Sequence, residues 1–415
     1  MIECSEYVLG LLNSVISKFQ IEIINPSLTL NPGDVLNVKY IKSNLDNVII
    51  TSVRDSIYIS KLDWDSHETS WDFKENELLR MKHHCGGNVA DIDMLDEDEG
   101  REILRDHEVG TNSRLIEHCY RCYVSEWTRN FHHLHANEEE INRQFIEIYG
   151  LQDELTPDVP LDEVTILQQG EIKIENNEIK FQRDVVIKQL ISYAVGCWMG
   201  RYRLDKPGLH IAHPSPTPDE ICTYSYGNET LTIDDDGNIP LLPYDCPFDD
   251  NLQNRIADFV RIAFGADSLA ENLNFIEQSL GCTIEKYLDK DFWKDHKKMY
   301  SNRPIYWLWS SKKGAFRVLS YMHRMDAYTA ERIRSKYLLP YIEFLQNKIN
   351  ELSNRGAGLS TADSRKLDNY RKILEECQEY HERLQVVAEQ AIGFNLDDGV
   401  VVNYAKFGDV LSKIK

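Results

Sequence analysis

Apolar residues spaced three and four positions apart predict several helices along this chain. Residues 3–24 carry such a stripe, and it predicts one helix that buries a single face. Residues 138–150 predict an amphipathic helix that ends at Gly150, a residue type that favours helix C-termini. Residues 183–203 predict a further helix whose apolar side points inward. Helices are therefore expected in the first half of the chain as well as the second.

Shorter runs of alternating or β-branched residues predict strands. Residues 35–41 and 48–53 are rich in Val and Ile and predict β-structure near the N-terminus. Residues 170–181 alternate apolar and polar positions around a pair of asparagines, a pattern typical of a β-hairpin. Residues 205–250 are rich in Pro, Gly and Asp, so we expect mostly loop there.

Two long apolar repeats predict an antiparallel helical hairpin over residues 327–392, with coiled-coil-like seams. Pro340 is expected to kink the first helix or to divide it from a shorter one. Ser360 or Thr361 is expected to cap the second helix after a turn with two glycines. The predicted fold class is mixed α/β of the α+β type, multi-domain, and helix-rich towards the C-terminus.

Composition narrows the protein class. A chain of 415 residues exceeds one typical core, so two or three domains are expected. No apolar run approaches the length of about 18 residues that a membrane span needs, and the acidic N-terminus lacks the basic start of a secretion signal. Nine scattered cysteines fit a reducing compartment better than a disulfide framework. We therefore predict a cytoplasmic protein without a membrane partner.

Charge is unevenly distributed. The formal net charge is −22, yet residues 286–340 contain thirteen Lys or Arg and only five Asp or Glu, a surplus of +8. This window includes R-P-I-Y-W-L-W-S-S-K-K-G-A-F (303–316), where aromatic and basic residues adjoin as they do in nucleic-acid-binding surfaces. The alternative is a core strand with Trp307 and Trp309 inside, so the basic residues are the better candidates. The nine predicted phosphate contacts are Lys297, Lys298, Arg303, Lys312, Lys313, Arg317, Arg332, Arg334 and Lys336.

A zinc site is a weaker hypothesis. Cys119 and Cys122 have the spacing of metal ligands, and His118, His132, His133 and His135 lie nearby, with a second set at 83–85. A second C-x-x-C pair is absent from the sequence. The alternative, cysteines packed on a helix with histidines on its surface, is favoured, and no metal is predicted.

Other catalytic motifs are sparse. Asp158, Glu171 and Lys173 match the short P-D…E-x-K pattern of metal-dependent nucleases, although a hairpin strand explains the last two without chemistry. There is no G-x-G-x-x-G and no phosphate-binding G-x-x-x-x-G-K-[ST] loop. N-P-S-L (25–28) and N-P-G-D (31–34) lack the aromatic residue that stacks on a flipped base in amino-methyltransferases.

Several stretches nevertheless resemble a known family. They are similar to the C-terminal half of PglX, the adenine-specific DNA methyltransferase of BREX phage-defence systems, and the one at 137–159 is shared in part with type IIG restriction–modification enzymes. In family order, the matching stretches are L-L-N-S (11–14), I-I-N-P-S-L-T-L-N-P-G-D (23–34), K-L-D-W-D-S-H-E-T-S-W-D-F (61–73), N-E-E-E-I-N-R-Q-F-I-E-I-Y-G-L-Q-D-E-L-T-P-D-V (137–159), L-I-S-Y-A-V-G-C-W-M-G-R-Y (190–202), D-D-D-G-N-I-P-L-L (234–242), R-P-I-Y-W-L-W-S-S (303–311) and N-Y-A-K-F-G-D-V-L (403–411).

The resemblance implies the non-catalytic part of such an enzyme. The cofactor loop and N-P-P-Y motif that precede this region in the family have no counterpart here, so no catalytic residue is carried over. The implied domains are the end of a target-recognition region (1–75), a helical spacer with a β-hairpin (76–185) and a C-terminal domain (186–415). We expect no cofactor in this chain and S-adenosylmethionine only in the catalytic half.

The resemblance also implies partners and a role. The expected function is DNA binding and target recognition for adenine-N6 methylation in phage defence, and the chain alone is expected to be inactive. Its expected partners are double-stranded DNA, the catalytic half and other BREX subunits. The alternative function is an assembly module that docks other defence subunits with little DNA contact.

Overall fold

The protein is described by a computed structural model with fifteen α-helices and seven strands among its described residues. The helices are α1 Ile2–Asn13, α2 Val15–Ile24, α3 Pro32–Leu36, α4 Asp46–Asp65, α5 Glu77–His84, α6 Ile116–Tyr149, α7 Arg183–Met199, α8 Leu252–Phe264, α9 Leu269–Leu280, α10 Ile284–Lys290, α11 Phe292–Met299, α12 Thr329–Arg332, α13 Leu339–Ser353, α14 Thr361–Glu389 and α15 Val400–Ala405. The strands are β1 Ile172–Glu175, β2 Glu178–Phe181, β3 Thr223–Tyr226, β4 Glu229–Thr232, β5 Asn238–Pro240, β6 Tyr306–Ser310 and β7 Arg317–Tyr321. The described residues are 2–27, 29, 31–42, 46–84, 114–242, 245–355, 360–393 and 395–414.

The strands form small antiparallel sheets: two hairpins, β1–β2 and β3–β4, and a three-stranded sheet in the order β5-β7-β6. The prediction of a mixed, helix-rich α+β fold is therefore confirmed. The chain divides into two compact units. Unit 1 comprises the described residues of 1–70, 84 and 120–182, and unit 2 comprises those of 71–83, 114–119 and 183–414.

Unit 1 is built mainly from helices. Its core joins α1, α2, α4 and α6 through buried apolar side chains, among them Tyr7, Ile49 and Phe145. Residues 3–24 form two helices rather than one, bent by 67°. The break falls at Ser14, whose extended backbone interrupts the helix and whose hydroxyl donates to the Leu11 carbonyl at 2.7 Å. A polar residue inside the apolar stripe thus marks the break.

The two strands predicted near the N-terminus are wrong. Residues 35–41 begin at the end of α3, and residues 48–53 lie in α4. Ile49, Ile50 and Val53 are buried, which is the spacing of a helix face packed on a neighbour. Tertiary packing therefore overrides the strand preference of the β-branched run.

The predicted β-hairpin of unit 1 is confirmed. Strands β1 and β2 pair in the register Glu175↔Glu178. Asn176 and Asn177 form the two-residue turn with φ of 54° and 63°. Asparagine tolerates this left-handed backbone better than most residues. A turn with this geometry matches the right-handed twist of the two strands that it connects.

Unit 2 contains a buried helix, α7, and a long helical hairpin. Helix α7 is buried along most of its length, as predicted, and its Gly196 lets the Tyr202 ring pass closely. The long hairpin is also present: α13 and α14 pack together and bury Leu345, Cys377 and Leu384. Pro340 lies in the first turn of α13, directly after a π-helical segment, Ile333–Leu338.

The cap of the second hairpin helix matches the prediction, because the Ser360 hydroxyl accepts the Asp363 N–H at 3.0 Å. Across the described residues, no single helix is both long and apolar enough to span a membrane; α1 and α2 pass that test only as a bent pair.

Candidate nucleic-acid interface

The aromatic stretch of 303–316 is a core strand with a basic turn after it. Strand β6 pairs with β7 in the register Trp309↔Val318. Trp307 and Trp309 are fully buried, and both rings pack edge-on against Phe407. The tryptophans are thus structural, as expected, and are not available to stack on bases.

The second face of β6 is buried too. The Tyr306 ring stacks on His296 with 4.7 Å between centroids, and the Tyr306 N–H donates to His296 Nε2 at 3.1 Å. Burial, with a smaller effect from the nearby Arg201 charge, lowers the pKa of His296 to about 3, so its imidazole is neutral. Both faces of β6 are therefore core.

The turn between β6 and β7 carries Lys312 and Lys313, and both are exposed. Backbone hydrogen bonds hold the turn: the Gly314 N–H donates to the Ser311 carbonyl at 3.1 Å. Helix α14 anchors it further, since Glu376 Oε1 accepts the Lys313 N–H at 2.6 Å. The two ammonium groups therefore project from a fixed turn and make no hydrogen bond or ion pair with any described residue.

Four of the nine predicted contacts are engaged within the protein. Arg317 pairs with Asp289, Arg332 with Asp326, and Arg334 with Glu331. Lys336 Nζ lies 3.0 Å from both Asp235 and Asp236. The +8 surplus already includes Asp289, Asp326 and Glu331, so only Asp235 and Asp236 lower it further, to +6.

The pKa values of the partner carboxyls reflect this pairing. The hydrogen bond from Arg334 lowers the pKa of Glu331. Burial alone would raise the pKa of Asp326, but the hydrogen bond and charge of Arg332, together with hydrogen bonds from Tyr328 and Thr329, outweigh it and the net shift is downward. Both carboxylates thus stay ionised and keep their arginines engaged.

The other five predicted residues have no carboxylate partner among the described residues. Lys298 lies in the last turn of α11 and Arg303 follows that helix, and both are exposed. Lys297 Nζ donates to the Lys413 carbonyl at 3.1 Å and lies 6.0 Å from the Trp293 ring centroid. The five residues free to meet an anion are Lys297, Lys298, Arg303, Lys312 and Lys313.

A depression of about 880 Å³ adjoins the turn and includes basic residues that the sequence window missed. Lys312, Lys413 and Arg383 line it, and Arg383 pairs with Asp409 at 2.8 Å. Lys413 is exposed and lies about a hundred positions from Lys312, so a window confined to 286–340 could not include it. The Trp309↔Leu411 bridge, which brings the C-terminal segment beside β6, has no local sequence signal.

The zinc hypothesis gains no support in the described part of the chain. Cys119 is a buried free thiol, Cys122 is disulfide-bonded, and His135 bonds to the Val159 carbonyl at 2.7 Å. Cys85 lies outside the described residues. Among those described, the only close group of three possible ligands is Asp234, Asp235 and Asp236, and Lys336 already pairs with the last two.

The nuclease hypothesis fails on Glu171. Its side chain is 1% exposed, and Oε1 lies 2.8 Å from His67 Nε2. Burial alone would lower the pKa of His67, but Glu171, by hydrogen bond and charge, and Asp63 together raise it. Glu171 is therefore the buried partner of a histidine, while Asp158 is an exposed residue of a different segment.

Comparison with known proteins finds similarity to two adenine-specific methyltransferases. The chain is 34% identical over 98% of its length to the adenine-specific methyltransferase BrxX of Escherichia coli O9:H4 (strain HS). It is 33% identical over 96% of its length to the adenine-specific methyltransferase PglX of Lacticaseibacillus casei (strain Zhang). The chain is similar to one region of the BrxX and PglX adenine-specific methyltransferases. No family model matches it.

The resemblance to BrxX and PglX has a limit, because the chain spans about a third of the length of these curated relatives. Three of the stretches of this chain that resemble the family meet in unit 2. The stretch 234–242 contains β5, the stretch 303–311 contains β6, and 403–411 supplies Tyr404 and Phe407 against Trp307. The stretches similar to BrxX and PglX therefore include the core beneath the basic turn.

Proposed function

We propose that this chain is the DNA-holding part of a BREX adenine-N6 DNA methyltransferase used in phage defence. The observation that carries the proposal is the similarity to BrxX and PglX over nearly the whole chain. Unit 2 would meet the duplex, unit 1 would contribute to target recognition, and the protein would act in the cytoplasm. Catalysis and S-adenosylmethionine binding would belong to another part of the enzyme.

The proposed contact surface is the basic turn with its neighbours. Lys312 and Lys313 project from a turn that is fixed to α14, so a phosphate contact requires little ordering of the backbone. Lys297, Lys298, Arg303 and Lys413 are the further candidates. Such contacts position a protein on DNA without reading its sequence. An acidic chain can bind in this way because phosphate neutralisation depends on local cations.

The first test compares two double variants of equal charge. Lys312→Gln with Lys313→Gln removes two unpaired cations, and Arg332→Gln with Lys336→Gln removes two cations that are already in ion pairs. We expect the first variant to weaken duplex binding roughly tenfold or more in fluorescence anisotropy at low salt, and the control to change it little. Equal loss in both variants would contradict a contact at the turn.

One observation favours the alternative role in assembly. Among the described residues, ten of the seventeen exposed large hydrophobic side chains lie within the first 65 positions, including Leu36, Tyr58 and Trp64 at 85%, 69% and 63% exposure. Exposed apolar side chains that form a contiguous patch are typical of protein–protein contact. If the chain fails to bind duplex DNA yet forms a stable complex with a BrxX-type catalytic part, assembly is the better account.

A further inference from the structure

Unit 1 contains a cavity that the proposed DNA role does not use. Its volume is about 770 Å³, and α1, α2, α4, α6 and the segment around 158–165 all contribute to its lining. Leu9, Leu12 and Ile57 supply apolar wall on one side and are themselves partly exposed. A volume in the range of roughly 300–1,000 Å³ is typical of small-molecule sites.

Glu138 supplies a carboxylate to the lining of the cavity. This residue of α6 lines the cavity and is partly buried, yet its carboxylate makes no hydrogen bond or ion pair with any described residue. Its neighbour Asn142 is fully engaged: Oδ1 accepts the Val15 N–H at 2.8 Å, and Nδ2 donates to the Pro157 carbonyl at 3.2 Å. The protein thus leaves a partly desolvated carboxylate facing an open space.

The surrounding charges do not supply the missing partner. Burial raises the pKa of Glu138 to about 7; His135 opposes this shift and Glu163 adds to it. Lys18 is the cation among the lining residues, and it lies 4.0 Å from Glu163. Asp158 adds a further carboxylate to the lining. The lining is therefore net negative, with its most buried acid unpaired.

We propose that this cavity binds a small organic cation with an apolar stem. The ammonium or guanidinium group lies against Glu138, and the stem packs on Leu9, Leu12 and Ile57. A buried carboxylate gains most from a partner that is both charged and a hydrogen-bond donor. Several segments of unit 1 line the site, and its volume fits a small molecule. The proposal is independent of DNA binding.

The test uses two probes that differ only in charge, phenethylamine and 2-phenylethanol. Calorimetry or ligand-observed NMR on the full chain at pH 8 should show the amine binding at least about tenfold more tightly than the alcohol. Glu138→Gln should abolish this difference. Glu147→Gln is the matched control, since Glu147 is an exposed residue of the same helix, and it should leave the difference intact. Amine affinity should fall from pH 8 to pH 6 as Glu138 is protonated.

Three results would overturn the proposal. They are equal binding of amine and alcohol, amine binding that survives Glu138→Gln, and no amine binding up to ~10 mM, which is beyond the affinity of a useful site. If a short lysine-containing apolar peptide binds while the amine does not, the cavity is a protein-docking site and the small-molecule assignment is wrong. Retained thermal stability of Glu138→Gln would show that loss of binding does not reflect misfolding.

Discussion

Single residues in this chain owe their roles to partners that lie far away in sequence. Lys336 is next to few acids in the sequence, yet it pairs with Asp235 and Asp236 about a hundred positions earlier. Lys312 and Lys313 belong to the same basic window, but neither has such a partner within the part of the chain that the structure describes. Residue type and local charge predicted which side chains are basic, but only the fold separates the engaged cations from the available ones.

Glu138 is an acidic residue whose surroundings also depend on distant parts of the chain. It lies in the run E-E-E at 138–140, which reads as a solvated helix face. Its neighbours fit that description, since Glu139 approaches His135 and Glu140 pairs with Arg143. Helical rotation turns only Glu138 towards the cavity of unit 1. No sequence signal distinguishes it, because the segments that enclose it come from four other parts of the chain.

The raised pKa of Glu138 gives a stability prediction. The folded-state value of about 7 lies above the ordinary 4.5, so the folded state binds this proton more tightly than the unfolded state. Stability from this group is present below about pH 4.5 and is lost as pH rises through 7. Glu138→Gln should therefore stabilise the protein by roughly 1–2 kcal/mol at pH 8, a figure reduced for partial solvent exposure, and by little at pH 5.

Urea unfolding at the two pH values measures this effect, with Glu147→Gln as the exposed comparison. A stabilisation that is equal at pH 5 and pH 8 would mean that desolvation of the charge is not its cause.

At the scale of elements, the sequence predicted those whose pattern is local. The asparagine turn of β1–β2, the helical hairpin of α13 and α14 and its Ser360 cap follow from short-range rules, and all three are present. The strands predicted at 35–41 and 48–53 failed because β-branched runs also suit a buried helix face. The break at Ser14 was missed because the apolar spacing continues across it.

Helix α7 depends on one small residue. A Cβ at Gly196 would lie 2.7 Å from Tyr202 Cε2 and 3.1 Å from the Tyr306 hydroxyl oxygen, both closer than ordinary contact. Because Tyr202 and Tyr306 are themselves fully buried, they have little room to move. Gly196→Ala should destabilise unit 2 by about 1–3 kcal/mol, as overpacking typically does.

Gly33 provides the control for this substitution. It lies in α3 and has no atom within 4 Å of an added Cβ, so Gly33→Ala should be neutral or slightly stabilising in the same urea experiment. A neutral Gly196→Ala would show that the packing of Tyr202 against α7 is looser than the structure indicates.

At the scale of the molecule, the net charge of −22 and the proposed DNA role are compatible only if cations are concentrated at one surface. The sequence predicted a basic window with a surplus of +8. Ion pairs engage some of its cations, and those without an ion pair to a described residue lie around the β6–β7 turn and α11. The similarity to BrxX and PglX covers nearly all of the chain, whereas the basic set occupies a small part of unit 2.

The salt dependence of duplex binding tests this account most directly. If the five unpaired cations of the predicted set each neutralise one phosphate, a plot of log K against log salt concentration should have a slope of about −4 to −5. The measurement is fluorescence anisotropy of a labelled duplex titrated with the full chain over a range of sodium chloride concentrations. The account predicts a linear plot with that slope. No binding at low salt, or a slope near zero, would contradict it.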